Sequence, residues 1–155
     1  MPGYKGHMLG ACAAVVICVA ALAWFGYRVS PLYFLQGLFF AWLGALFPDI
    51  DTKSKGQKML YAVLFVLIVA LLLYKKYVIA SVLALMAFMP LFVNHRGIFH
   101  RFWFAALITA AAVAGCALQF PWCAAATVRN GLFFLLGFFS HIALDFGLLG
   151  LWRKR

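Results

Sequence analysis

Acidic residues are almost missing from this chain, which has no glutamate and only three aspartates against 13 lysines and arginines. Polar residues of all kinds are few, since 68% of the 155 residues are hydrophobic and the mean hydropathy is +1.04. A soluble domain needs more polar surface than this to cover its core, so soluble globular folds are excluded. The net charge of +10 is a poor indication of nucleic-acid binding, because no basic soluble module is there to carry that function.

Recognised cysteine patterns are also missing. The four cysteines include no C-x-x-C pair, which argues against a thiolate metal site. Cys12, Cys18 and Cys116 lie in apolar runs and are interpreted as small packing residues, whereas Cys123 lies near a loop and leaves a pairing with Cys116 open. No repeat or low-complexity linker divides the chain, so residues 1–155 are predicted to form a single integral-membrane domain.

Long apolar runs are what the chain has in abundance. Several approach the roughly 20 residues needed to cross about 30 Å of hydrocarbon, and they predict helices because barrel strands would alternate. The fold class is therefore predicted to be all-α, a polytopic membrane bundle of about six transmembrane helices. The second and third runs are short, so we expect them to be less tilted, off-centre or partly re-entrant. The expected spans are residues 8–26, 31–47, 59–74, 77–93, 102–120 and 131–152.

The basic residues predict the orientation of these spans. Nine lysines and arginines fall on the side that holds both termini and the second and fourth loops, and four fall on the other. The bias predicts both termini in the cytoplasm of a bacterial inner membrane. The positive charge is then explained by topology and by attraction to anionic lipid headgroups.

The rare titratable residues share that same predicted side. Solubility does not explain this, because the opposite loops contain neither aspartate nor histidine. A carboxylate within a span costs at least a few kcal/mol, and such residues are usually paired and functional. The set comprises all the aspartates and histidines of the chain: His7, Asp49, Asp51, His95, His100, His141 and Asp145.

The spacing of individual members leaves more than one interpretation open in each case. His141 and Asp145 are four residues apart on one helix face, which suits two metal ligands, a ligand and its hydrogen-bond partner, or a pair that only ties helices together. Asp49 and Asp51 follow Pro48, which favours a turn there, and both carboxylates could reach a cation unless Asp51 caps the next helix.

The stretch HRGIFH carries the other two internal histidines. His95 and His100 are five residues apart, so they converge only if Gly97 bends the chain, and otherwise they are solvated loop residues. Arg96 is expected to act on a phosphate beside a metal, whereas Lys53 and Lys55 are attributed to topology. Four imidazoles and three carboxylates suffice for two metals or three, with zinc preferred and manganese or iron as alternatives.

Four motifs, GHMLG, LFPDID, HRGIFH and SHIALD, resemble in order the YdjM-like family of inner-membrane metal-dependent hydrolases. The succession of PDID and HRGIFH is fairly specific, and the resemblance covers essentially the whole chain. It implies a relationship to zinc-dependent phospholipase C and its trinuclear nuclease relatives, with all seven titratable residues as metal ligands. Those soluble relatives commonly use a glutamate ligand, and this chain has none.

Together these features predict a membrane hydrolase that cleaves a lipid phosphoester with metal-activated water at the cytoplasmic interface. Asp49 and Asp51 would bridge metals or take the proton of the water, and Arg96 would stabilise the phosphoryl charge. The alternatives are a zinc-dependent lipid amide or ester hydrolase, a divalent-cation transporter, and a structural membrane protein. Aromatic residues flank the motifs, where interfacial anchoring is their expected role: Phe99, Phe102, Trp103, Phe104, Phe138 and Phe139.

Overall fold

A computed structural model of the protein describes residues 3–51, 54–91 and 98–153, without the side chains of residues 51, 91 and 148–153. The described residues form no strand, so the predicted all-α fold is confirmed. Short 3-10 helices lie at Phe47–Asp51, Met89–Leu91, Ile98–His100 and Pro121–Cys123. The α-helices are α1 Tyr4–Trp24, α2 Pro31–Leu46, α3 Lys55–Leu73, α4 Tyr77–Phe88, α5 Phe102–Gln119 and α6 Ala124–Arg153.

Five of the six helices are long and apolar enough to cross a membrane. The expectation that the second and third spans are the short ones is wrong. The second extends through its 3-10 turn to 20 residues, Pro31–Ile50, and α3 has 19. The short helix is α4, whose 12 residues span about 18 Å. The proline after Met89 explains this, because Pro90 lacks an amide hydrogen and disfavours α-helix at the residue before it.

Serine side chains fix where the second and third helices begin. The Ser30 hydroxyl accepts a hydrogen bond from the Tyr33 amide at 3.3 Å, and the Ser54 hydroxyl accepts one from the Gln57 amide at 3.0 Å. Each satisfies a free N–H group of a first helical turn. The cap of α3 is thus Ser54, and the alternative that Asp51 holds this position is wrong.

Helices α2 and α6 form the centre of the bundle, with α1 packed on both and α5 packed on α6. Their backbones touch at two glycines. A Cβ atom on Gly44 would collide with the carbonyl oxygen of Phe134, and one on Gly137 with that of Ala41. Only glycine allows this approach, so the two helices pack closely within a single chain.

A polar contact also joins α2 and α6, at the end where α2 begins. The Arg129 guanidinium donates to the Gln36 side-chain oxygen at 2.9 Å and lies 3.8 Å from the centre of the Tyr33 ring. Nothing in the sequence predicts this contact. Helix α6 begins at Ala124 and not at the predicted residue 131. The contacts with Gln36 and Tyr33 stabilise the charged Arg129 side chain within the helix.

The aromatic residues near the motifs divide into two groups. Phe99, Phe104 and Phe138 are buried in apolar clusters, so an anchoring role at the membrane interface is wrong for them. Phe102, Trp103 and Phe139 are exposed, and for these three interfacial anchoring stays a prediction.

The four cysteines are free thiols, Cys116 and Cys123 included. The Trp42 indole N–H lies 3.1 Å from the Cys12 sulfur and links α1 to α2, which fits the packing role expected of Cys12.

Candidate metal centre

The centre of the candidate site is His141, which is fully buried in α6 beside α2. One turn further along α6, Asp145 directs its Oδ2 to within 3.4 Å of His141 Nε2. The two side chains therefore share a helix face as their spacing predicts, and they point into the bundle near its end.

A backbone carbonyl fixes the protonation of the His141 ring. Nδ1 lies 2.6 Å from the carbonyl oxygen of Ala45, and because a carbonyl only accepts, Nδ1 carries the hydrogen and donates it. Ala45 is in the last turn of α2, where carbonyls have no partner within their own helix. Nε2 is left with a lone pair directed at the carboxylates, which is the arrangement typical of metal-binding histidines.

His7 reaches the same point from the first turn of α1. Its ring is buried and stacks on that of His141, with 3.8 Å between the centroids and 20° between the planes. His7 Nε2 is 3.4 Å from Asp145 Oδ1, so the Asp145 carboxylate contacts both imidazoles at their Nε2 atoms. His7 is thus part of the cluster, as predicted.

The 3-10 turns bring two further residues to His141. Asp49 Oδ1 lies 3.8 Å from His141 Nε2, and the His100 ring meets the His141 ring edge to face at 5.8 Å. The two turns are held together by Phe47 and Phe99, whose rings pack edge to face at 5.8 Å. Side chains from four separate segments therefore meet at one end of the bundle, as the predicted topology requires.

The distances test whether a cation fits among these atoms. Ligand atoms about 2.0–2.1 Å from a tetrahedral metal lie roughly 3.3–3.4 Å apart. Both contacts of Asp145 have this length, at 3.4 Å, and they are too long for good hydrogen bonds. The donors form two overlapping groups, His7 with His141 and Asp145, and Asp49 with His100 and His141. The nitrogen and oxygen donor set fits zinc, manganese or iron.

His141 belongs to both groups but has a single free lone pair, so it can bind only one ion. The described donors therefore supply one complete site and part of a second. A second ion would need ligands beyond them.

Burial makes the cluster costly without a cation. The Asp145 side chain is 6% exposed, and within the described ranges its ion-pair partners are the two histidines. Asp145 Oδ1 and His141 Nε2 are buried with no hydrogen-bond partner among the described residues. Buried polar atoms in this condition are uncommon and call for a specific explanation. A bound cation would satisfy the lone pairs and neutralise the carboxylate.

Several predicted residues lie beyond this geometry. His95, Arg96 and Lys53 lie outside the described residues, and Asp51 is described in its backbone alone. Arg101 is exposed at the start of α5, and Lys55 is exposed at the start of α3. Their expected roles, including the phosphate contact of Arg96, stay predictions.

Comparison with known proteins agrees with the motifs. Neither the curated proteins nor the solved structures contain a significant match to the chain. The profile of the family described as YdjM inner membrane protein matches residues 1–148, which include every aspartate and histidine of the candidate site. The chain therefore belongs to the YdjM inner membrane protein family.

Proposed function

We propose that the protein is a membrane-embedded, metal-dependent hydrolase that cleaves a lipid phosphoester at the cytoplasmic surface of the inner membrane. The observation that carries the proposal is the buried cluster around His141, in which carboxylate oxygens and imidazole nitrogens are spaced as the ligands of one ion would be. Burying ionisable side chains in a membrane bundle costs free energy, and such residues usually mark a functional site.

Each residue of the cluster has a distinct part in this chemistry. His7, His141 and Asp145, the more buried group, would hold the metal. A bound divalent metal supplies hydroxide from water near neutral pH and a positive charge for the phosphoryl oxygens. The Asp49 side chain is 24% exposed against 6% for Asp145, so Asp49 is the carboxylate that incoming water can reach and that accepts its proton.

The membrane setting favours a lipid as the substrate. The cluster lies at the end of a bundle whose helix surfaces are apolar and widely exposed, so a lipid can bring its phosphate to the cluster while its chains stay in the bilayer. Arg96 is the residue proposed to hold the phosphoryl group. A lipid amide or ester hydrolase would not need this guanidinium, so Arg96→Ala should abolish phosphoester cleavage and spare amide cleavage.

The testing experiment measures bound metal and phosphoester hydrolysis on the same purified protein. We expect at least one equivalent of zinc by elemental analysis in wild-type protein, and zinc-dependent release of phosphate or headgroup from phospholipid vesicles. Asp145→Ala and His141→Ala should lose both the metal and the activity, because each removes a donor of the buried group.

A matched control separates metal binding from helix packing. Gln36→Ala removes a polar contact between the same two helices, α2 and α6, at the opposite end of the bundle. It should lower stability while the zinc content stays unchanged. If the histidine and aspartate variants behave like Gln36→Ala and wild-type protein binds no transition metal, the cluster is a structural network and the hydrolase proposal is wrong.

A further inference from the structure

A long apolar groove runs along the surface where α3 packs against α4. It has a volume of about 700 Å³, within the range of small-molecule sites. Lys58 and Gln57 lie at its polar end and Ile68 at its deep end, eleven residues further along α3. This corresponds to roughly 16 Å along the helix axis, about half of the 30 Å hydrocarbon layer. The groove therefore covers the depth of one leaflet.

The polar end of the groove lies beside the candidate metal centre. The Gln57 side-chain amide donates a hydrogen bond of 2.8 Å to the carbonyl oxygen of Ile50, the residue after Asp49. Lys58 follows at the groove mouth, where its exposed ammonium adds positive charge at headgroup level. An anionic group held at this mouth is thus close to the segment that presents Asp49.

A second apolar cavity lies next to the groove. It has a volume of about 150 Å³ and shares Leu64 and Ala87 with the groove. Phe47, Ile50 and Phe99 line its other side, and these residues flank the segments that carry Asp49 and His100. Apolar side chains therefore fill the space between the groove and the packing layer behind the cluster.

We propose that this groove between α3 and α4 binds one acyl chain of the lipid substrate, with the phosphate of that lipid at Lys58. The inference rests on the proposed function, because it identifies the bound lipid as the substrate. Three features favour a lipid chain over a helix of a second copy: the groove is as deep as one leaflet, it has a cationic mouth, and it adjoins the cavity beside the candidate metal centre.

The experiment uses full-length protein in vesicles of phosphatidylethanolamine and phosphatidylglycerol. The probe is a phosphatidic acid with a photoactivatable diazirine near the end of one acyl chain. After illumination, labelled peptides should map to the deep part of the groove, with adducts at residues such as Phe65, Ile68 and Ala84. We expect Ala62→Trp, which fills the groove, to reduce this labelling at least fivefold.

The matched control is Ala110→Trp on α5. Ala110 is exposed and lies eight residues from the start of its helix, as Ala62 lies seven from the start of α3, so both are at a similar depth. Ala110→Trp should leave the labelling unchanged. Lys58→Gln should reduce labelling by phosphatidic acid about fivefold and leave labelling by an uncharged diacylglycerol probe unchanged.

The possible outcomes distinguish this inference from the proposed function. Equal labelling of α5 and the groove, or labelling unaffected by Ala62→Trp, overturns the acyl-chain site even if zinc-dependent hydrolysis is found. Disulfide-linked dimers of an Ala62→Cys variant, absent from Ala110→Cys, would show that a second copy covers the groove and would overturn it too. Groove labelling in a zinc-free protein without hydrolysis would instead overturn the proposed function and the identification of the lipid as substrate.

Discussion

The Asp145 carboxylate contacts two imidazoles inside an apolar helix bundle. His7 and His141 approach its two oxygens at the same distance of 3.4 Å, one from α1 and one from the preceding turn of α6. A pair of buried groups that serves stability alone gains little over apolar packing, since the desolvation of the charge offsets the attraction. The role of Asp145 can therefore be tested by removing its charge while keeping its shape.

We expect Asp145→Asn to abolish stoichiometric zinc binding with little loss of stability in the metal-free protein. The amide keeps the volume of the carboxylate but lacks its negative charge, and the histidines can remain neutral. Zinc at about 100 times its dissociation constant should stabilise wild-type protein by ~2.7 kcal/mol, and this gain should vanish in the variant. Thermal unfolding in detergent, with chelator or with zinc, measures both quantities.

The contrary result is equally clear. If chelator-treated Asp145→Asn unfolds far below chelator-treated wild-type protein, and zinc stabilises neither, then the carboxylate holds helices together and binds no metal.

The residues of the site differ in how far the sequence reveals them. His7, Asp49, His100 and Asp145 could be predicted to meet His141 because titratable side chains are so rare here that their shared position on one side is informative. The Ala45 carbonyl could not be predicted, since every residue has one and its availability depends on where α2 ends. The stacking of the His7 ring on the His141 ring could not be predicted from the sequence either, because it depends on the packing of α1 against α6.

At the level of helices, α2 and α6 are held so closely that the contact depends on the absence of side chains at Gly44 and Gly137. This contact lies directly beside the hydrogen bond between Ala45 and His141. Packing and chemistry are therefore linked, since any separation of the two helices moves the carbonyl that orients the imidazole.

We expect Gly137→Ala to destabilise the protein by about 2–3 kcal/mol, because its Cβ atom would enter the backbone of α2 at Ala41. The same change should lower the zinc content by displacing Ala45 from His141. Thermal unfolding and elemental analysis of the purified variant provide the two readings.

Gly115→Ala on α5 is the control for this substitution. A Cβ atom there would meet nothing within 4 Å, so the change should be neutral or stabilising by up to ~1 kcal/mol through better helix propensity. Equal behaviour of the two variants would show that the close approach of α2 and α6 contributes nothing to stability.

Apolar runs predicted the number of helices well and their ends less well. Hydropathy registers composition, so it could not show that α4 stops before Met89-Pro90 or that α2 continues into a 3-10 turn. Hydropathy also placed Arg129 outside the sixth span. The contacts with Gln36 and Tyr33 that stabilise Arg129 inside the helix could not be seen, because those residues lie nearly a hundred positions earlier in the chain. Helix ends of this kind depend on tertiary partners.

At the scale of the whole molecule, the distribution of positive charges predicts the orientation in the membrane. With both termini in the cytoplasm, green fluorescent protein fused after Arg155 should fluoresce, and alkaline phosphatase fused at Lys75, between α3 and α4, should be active. Green fluorescent protein fused at Lys75 should not fluoresce, and alkaline phosphatase fused after Arg155 should be inactive. An active phosphatase at the C-terminus would place the metal centre on the opposite membrane surface and exclude a cytoplasmic substrate.

The cluster joins the two ends of the chain, since His7 lies in the first helix and His141 and Asp145 in the last. Helices enter a membrane in the order of their synthesis, so the first five are in place before either donor of α6 arrives. Under the proposed function, an unfinished chain has no complete binding site for the ion. Metal can then bind only after α6 has been inserted, and the bound ion marks a bundle whose six described helices have assembled.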